Sequence, residues 1–87
     1  MKRLMLKYAE DFRENRIAPA VYAQLRDHGF DPLTVDCNYD VERGNFYVDF
    51  FFDDGGANLS LEDVLTRFEI PSSVKISLIN VNSGVVG

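Results

Sequence analysis

Eighty-seven residues fit one domain, and a 46% apolar composition places the chain among folded globular proteins. Fourteen acidic residues against nine basic ones give a formal net charge of −5, which disfavours nucleic acid and anionic lipid and favours a basic partner. A single cysteine excludes a framework of intramolecular disulfides, and no apolar run reaches the length of a membrane span.

Met1-Lys2-Arg3 is followed by only a short apolar run before Lys7, so neither a secretory signal nor a membrane segment is expected. A reducing cytoplasm is the expected compartment. In residues 2–9, Leu4, Leu6 and Tyr8 alternate as in a strand, while Met1, Met5, Tyr8 and Phe12 also fit a helical face. Helix formers in Glu10-Asp11-Phe12-Arg13-Glu14-Asn15 favour a helix if the two pieces form one element. From Ala18 a helix is expected, with Pro19 in its first turn and Val21, Tyr22, Leu25 and His28 as its apolar stripe. Gly29 terminates it, and Asp31-Pro32 turns the chain into a hairpin.

The stretch from Thr34 to Asp53 carries the strongest signal. Val35, Cys37, Tyr39 and Val41 share one side, as do Phe46, Val48, Phe50 and Phe52. Thr34, Asp36, Asn38 and Asp40 take the other side, together with Tyr47, Asp49, Phe51 and Asp53. This period of two predicts paired strands with one buried face. A tip at Arg43-Gly44 pairs Val41 with Phe46, Tyr39 with Val48, Cys37 with Phe50 and Val35 with Phe52. A tip at Gly44-Asn45 shifts that register by two without exchanging the faces. Cys37 is thereby assigned to the core.

Asp53-Asp54-Gly55-Gly56 ends the second strand, and Ser60 with Asp63 has the spacing of a capping box. Leu61, Val64, Leu65 and Phe68 are the expected buried face of the helix it starts, and Pro71 stops that helix. Val74, Ile76 and Leu78 predict a last strand, whose pairing is expected to bulge or end where Ile79 and Val81 switch sides. Asn82-Ser83-Gly84 is expected to close the ordered part. If residues 2–9 are a strand, the single α+β domain spanning residues 1–87 has the order β-α-β-β-α-β. That is the ferredoxin-like arrangement, an antiparallel sheet with both helices on one face. If they are a helix, the order is α-α-β-β-α-β over a three-stranded antiparallel sheet. The first order is preferred, because each helix then serves as a compact crossover.

Arg43-Gly44-Asn45-Phe46-Tyr47-Val48-Asp49-Phe50 resembles the third-strand octamer of RNA-recognition motifs. Arg43, Gly44, Tyr47, Val48 and Phe50 match it; Asn45 replaces a stacking aromatic and Phe46 replaces a small residue. Leu4-Met5-Leu6 lacks the aromatic of the second stacking position, and Asp36, Asp40 and Asp49 oppose phosphate. Direct nucleic-acid binding is therefore not expected.

Catalytic chemistry has few candidates. His28 is the lone histidine, at a helix C-terminus, and Gly55-Gly56 lacks the lysine and spacing of a phosphate loop. Asp49, Asp53, Asp54, Glu62 and Asp63 do not have the spacing of a calcium loop. No enzyme, cofactor or metal site is expected. The remaining surface is the outer hairpin face, with Asp36, Asn38, Asp40, Tyr47, Asp49 and Phe51 as the partner-binding candidates. Aromatics in a polar rim have the composition of an interface hot spot. The expected function is a non-enzymatic protein-binding module whose partner carries a basic surface, such as a nucleic-acid-processing effector. Short acidic stoichiometric inhibitors share this profile, among them phage anti-CRISPR, other host-takeover and toxin-immunity proteins; the analogy carries over no residue role. A homodimer packed sheet against sheet is the alternative.

Overall fold

The computed structural model describes residues 1–81. The element order is strand β1 (Lys2–Ala9), a single 3-10 turn (Phe12–Glu14), helix α1 (Ile17–Asp27), strands β2 (Pro32–Asp40) and β3 (Asn45–Phe52), helix α2 (Leu61–Arg67) and strand β4 (Lys75–Asn80). Residues 2–9 are thus a strand, and the alternative beginning with two helices falls. The expected end at Asn82-Ser83-Gly84 lies outside the described residues.

One four-stranded sheet has the order β2-β3-β1-β4. All three adjacent pairs are antiparallel. The strand parity of β1 decides its packing. Leu4, Leu6 and Tyr8 are buried, together with Phe46, Val48, Phe50 and Phe52 of β3. Val21 and Leu25 of α1 and Val64 of α2 join the same cluster, followed by Phe68 just past α2. A core therefore lies between the helices and one sheet face, while among the described residues the other face has no helix over it.

The helix ends follow local chemistry. The N–H of Phe30 reaches the Leu25 carbonyl at 2.8 Å and that of Gly29 the Arg26 carbonyl at 2.9 Å, closing α1 in a Schellman motif. Gly29 takes the left-handed conformation this requires, at φ 84°. At α2 the backbone N–H of Asp63 donates to Ser60 Oγ at 3.1 Å, and that of Ser60 to Asp63 Oδ2 at 2.9 Å. The expected capping box is present with Asp in place of Glu. Its Ser60 N–H is the main cause holding the Asp63 carboxyl below the usual carboxylate range.

Several expectations need correction. Tyr39 pairs with Phe46, Cys37 with Val48 and Val35 with Phe50, two residues away from the register drawn for an Arg43-Gly44 tip and on the opposite side from the Gly44-Asn45 alternative. The loop is Val41–Gly44, and its geometry explains the shift. A two-residue tip at Arg43-Gly44 would need a positive φ at its first residue, unfavourable for arginine. The longer loop needs it only at Gly44, at φ 67°. Asp40 Oδ1 then accepts from the N–H groups of Glu42 and Arg43, at 3.1 and 3.3 Å. Val41 consequently leaves the core and is 82% exposed.

Cys37 and Val35 are exposed rather than core: among the described residues β2 is an edge of the sheet with a neighbour only in β3, and the buried strand residues belong to the central strands β1 and β3. In the helices, Tyr22, His28, Leu61 and Leu65 are exposed, leaving narrower buried stripes than expected. β4 pairs with β1 in uninterrupted register from Lys75 to Asn80 and ends there, so the expected end of pairing falls between Ile79 and Val81 and the alternative bulge does not occur.

A candidate protein-binding face on the open side of the sheet

Cross-strand register assembles the uncovered face in rows. Thr34, Phe51, Arg3 and Ile79 form the first; Asp36, Asp49, Met5 and Ser77 the second; Asn38, Tyr47, Lys7 and Lys75 the third; and Asp40, Asn45 and Ala9 the last. All six residues expected from the sequence, Asp36, Asn38, Asp40, Tyr47, Asp49 and Phe51, therefore share one side. The sheet also brings in Arg3, Met5, Lys7, Lys75 and Ser77, which the hairpin pattern alone does not reveal. The signal for three of them was the strand parity of residues 2–9, since Leu4, Leu6 and Tyr8 inward put Arg3, Met5 and Lys7 outward.

This company changes the electrostatics of the face. Asp36 stands directly opposite Asp49, a like-charge pair that costs stability across a ladder. Arg3 offsets it, with Nη2 donating to Asp49 Oδ2 at 2.7 Å and its guanidinium 5.5 Å from the Phe51 ring centre. Asp40 turns toward Arg43, 3.2 Å away. Burial raises its carboxyl pKa, but the backbone N–H, side chain and charge of Arg43 outweigh that and leave it lowered. Asp36 alone of the three aspartates makes no ion pair among the described residues. Across the sheet, the Lys7 ammonium lies 5.7 Å from the Tyr47 ring centre. The expected acidic patch is thus a face of two stripes, Asp36 and Asp40 on β2 and the adjacent Lys7 and Lys75 on β1 and β4, with Tyr47 between them and Asp49 of β3 held by Arg3.

Tyr47 is 38% exposed. Met5, Lys7, Tyr47, Asp49, Lys75 and Ser77 line a shallow groove beside it. Of the octamer compared with RNA-recognition motifs, Phe46, Val48 and Phe50 are buried and Arg43 lies in the loop. Tyr47 is the one aromatic of the octamer on the open face, so one stacking plane is offered where that motif uses several.

The reactive side chains do not converge. His28 Nδ1 lies 2.9 Å from the Gln24 carbonyl oxygen, and its ring packs 4.7 Å from that of Phe68. Cys37 lies on β2, where partial burial raises its thiol pKa above the ordinary value. Tyr8, whose hydroxyl donates to Asn15 Oδ1 at 2.6 Å, is pushed up to about 12, chiefly by burial. Among the described residues, no three His, Cys, Asp or Glu side chains are placed to hold a metal ion. No helix among them is long and apolar enough to cross a membrane.

Asp54 is structural in its immediate contacts. It accepts from the N–H groups of Leu59 at 3.0 Å and Gly56 at 3.2 Å. It also lies 4.0 Å from the buried Lys2 ammonium, which donates to Asn80. The Leu59 N–H is the largest cause lowering its carboxyl pKa. No family model matches the chain, and no curated protein or solved structure shows significant similarity to it.

Proposed function

We propose that this chain is a non-enzymatic protein-binding module that engages its partner through the open sheet face and acts as a stoichiometric inhibitor. The element order and the strand order β2-β3-β1-β4 support a ferredoxin-like arrangement as the scaffold. The observation that carries the reading is Tyr47, exposed at the centre of a face without a helix over it and flanked by charges of both signs. A desolvated aromatic anchor inside a polar rim is the usual energetic centre of a protein interface.

The two stripes refine the partner. A uniformly basic surface would meet Asp36 favourably but Lys7 and Lys75 unfavourably. The complementary surface is itself striped, with cations opposite β2 and carboxylates opposite β1 and β4. Retention of partners from the native host on immobilised protein, read by mass spectrometry, tests this reading. The Tyr47→Ala/Phe51→Ala variant should lose a protein that the wild type holds, and Lys7→Glu should weaken that binding as Asp36→Lys does. Equal retention by the double variant would refute it.

The same stripes favour a second reading, self-association. A two-fold axis parallel to the strands would place the carboxylate stripe of one copy against the ammonium stripe of the other, removing the repulsion expected of a uniformly acidic face. Sedimentation equilibrium at micromolar concentration separates the readings: a monomer supports a foreign partner, a dimer abolished by Lys7→Glu supports the second.

A further inference from the structure

Strand β2 forms one edge of the sheet. Among the described residues β2 has a neighbour only in β3, so one side of its backbone has no strand partner there. Natural edges are blunted by proline, lysine, bulges or a covering element. Here such devices occupy only the start of the strand, with Pro32 and a register shift between Pro32 and Thr34. From Thr34 to Asp40 the pairing with β3 is regular, and that segment contains no proline, glycine or lysine. The other edge, β4, is shorter and begins at Lys75.

The two sides of this edge differ in chemistry. Toward the helices, Val35 and Cys37 border a mainly apolar groove completed by Ala18, Pro19, Tyr22 and Phe50, with the Asn15 amide 4.0 Å from Cys37 Sγ at one end. Val35 is 40% exposed and Tyr22 37%. Toward the open face stand Asp36, which makes no ion pair among the described residues, and Asn38. Glu42 adds negative charge at one end, while Asp31 and Asp40 are paired with Arg26 and Arg43. An incoming strand lays alternate side chains on these two sides. Charge complementarity then sets the chemistry of that strand: basic side chains opposite Asp36, apolar ones over the Val35 and Cys37 groove. A second copy of β2 would bring its own Asp36 into the same strip, so like charge disfavours that occupant.

We propose that β2 is a docking edge for an extended segment of a partner protein, added as a fifth strand, in which basic and apolar residues alternate. Backbone hydrogen bonds supply the affinity and the two side-chain rows the selectivity, as in strand addition generally. The inference goes beyond the open-face reading: it uses the backbone edge and the helix-side groove and does not need Tyr47.

The probes are the acetylated, amidated peptide Lys-Val-Lys-Val-Lys-Val-Lys and its counterpart with Glu at every Lys, titrated into the full chain and followed by amide shifts and hydrogen exchange. The lysine peptide should shift and protect amides within residues 34–40, and the glutamate peptide should not bind. Methylating the backbone nitrogens of either the Lys or the Val residues should abolish binding, while methylating the other set should leave it. This control alters only the probe, so it does not depend on a variant folding. Asp36→Asn should weaken the lysine peptide about two- to fivefold, the range of a cross-strand charge pair. Tyr47→Ala should leave its affinity unchanged, so this proposal can fail while the open-face reading stands, and the reverse. It is overturned if the lysine peptide fails to bind at millimolar concentration, if both peptides bind alike, or if Asp36→Asn changes nothing. It is likewise overturned if the shifts fall on the open face or β4, or if the peptide-free protein is already a dimer with β2 amides protected.

Discussion

Strand β1 sends Leu4, Leu6 and Tyr8 to one side of the sheet and Arg3, Met5 and Lys7 to the other, and the two sets have opposite uses. The first three are at most 3% exposed and pack under the helices. The second three meet Phe51, Asp49 and Tyr47 on a side that no helix among the described residues covers. Stability resides on the first face, where removal of apolar area from water is nearly complete. The second face holds aromatic and charged groups in partial contact with water, where they add little to folding and remain available to another surface. The same backbone therefore serves a core and a candidate interface without any residue having to do both.

On the helix side itself, burial falls from the central strands to the edge, and the largest effect comes from truncating each member of one cross-strand pair in turn. Phe50 is 1% exposed and its partner Val35 is 40% exposed. Phe50→Ala should cost about 3–5 kcal/mol, enough to unfold much of so small a domain. Val35→Ala should cost about 1 kcal/mol or less. Urea unfolding midpoints measure both, and similar losses would show that β2 is covered by something the fold does not supply.

A second effect lies at the sheet end. Asp54 ties the loop after β3 to Lys2, and its carboxyl pKa is lowered in the folded state. The stability it contributes is therefore present above the ordinary carboxylate value of about 3.9 and is lost as pH falls through the still lower folded value. Asp54→Asn should be clearly less stable than wild type at pH 7, and the gap should close as the pH is taken into the acid range. A gap constant down to acid pH would contradict the role of the carboxylate charge.

On the open face the effects are smaller. Arg3→Ala leaves Asp36 and Asp49 opposed without their cation and should cost about 0.5–1 kcal/mol, less at high salt, as read from denaturation midpoints in low and high salt. A loss as large as that of Phe50→Ala would make this face part of the core. Smallest is Cys37→Ser, expected within about 0.5 kcal/mol of wild type. The Cys37 thiol should also react with a disulfide reagent in the folded protein, more slowly at neutral pH than an unperturbed thiol because its pKa is raised. Reaction only on unfolding would restore Cys37 to the core.

Alternation made the strands and their parity legible, and the Ser60 and Gly29 signals placed helix ends closely. What alternation does not carry is depth. Val35, Cys37 and Val41 of the first hairpin arm alternate as cleanly as Phe46, Val48 and Phe50 of the second. Only the second arm is central in the sheet, and strand order is set by how all four strands pair. Register was missed for a related reason, since it depended on the Asp40 side chain capping the loop rather than on apolar matching. The candidate face was half legible: the hairpin supplied its carboxylates and Tyr47, whereas the cations came from β1 and β4, distant in sequence and joined to it only by pairing.

The division between the two faces is tested most directly by the Tyr47→Ala/Phe51→Ala variant, measured in parallel for unfolding midpoint and for retention of a host protein. The midpoint should stay close to wild type and the retained protein should be lost. A collapsed midpoint, or an intact fold that still holds the same protein, would contradict it.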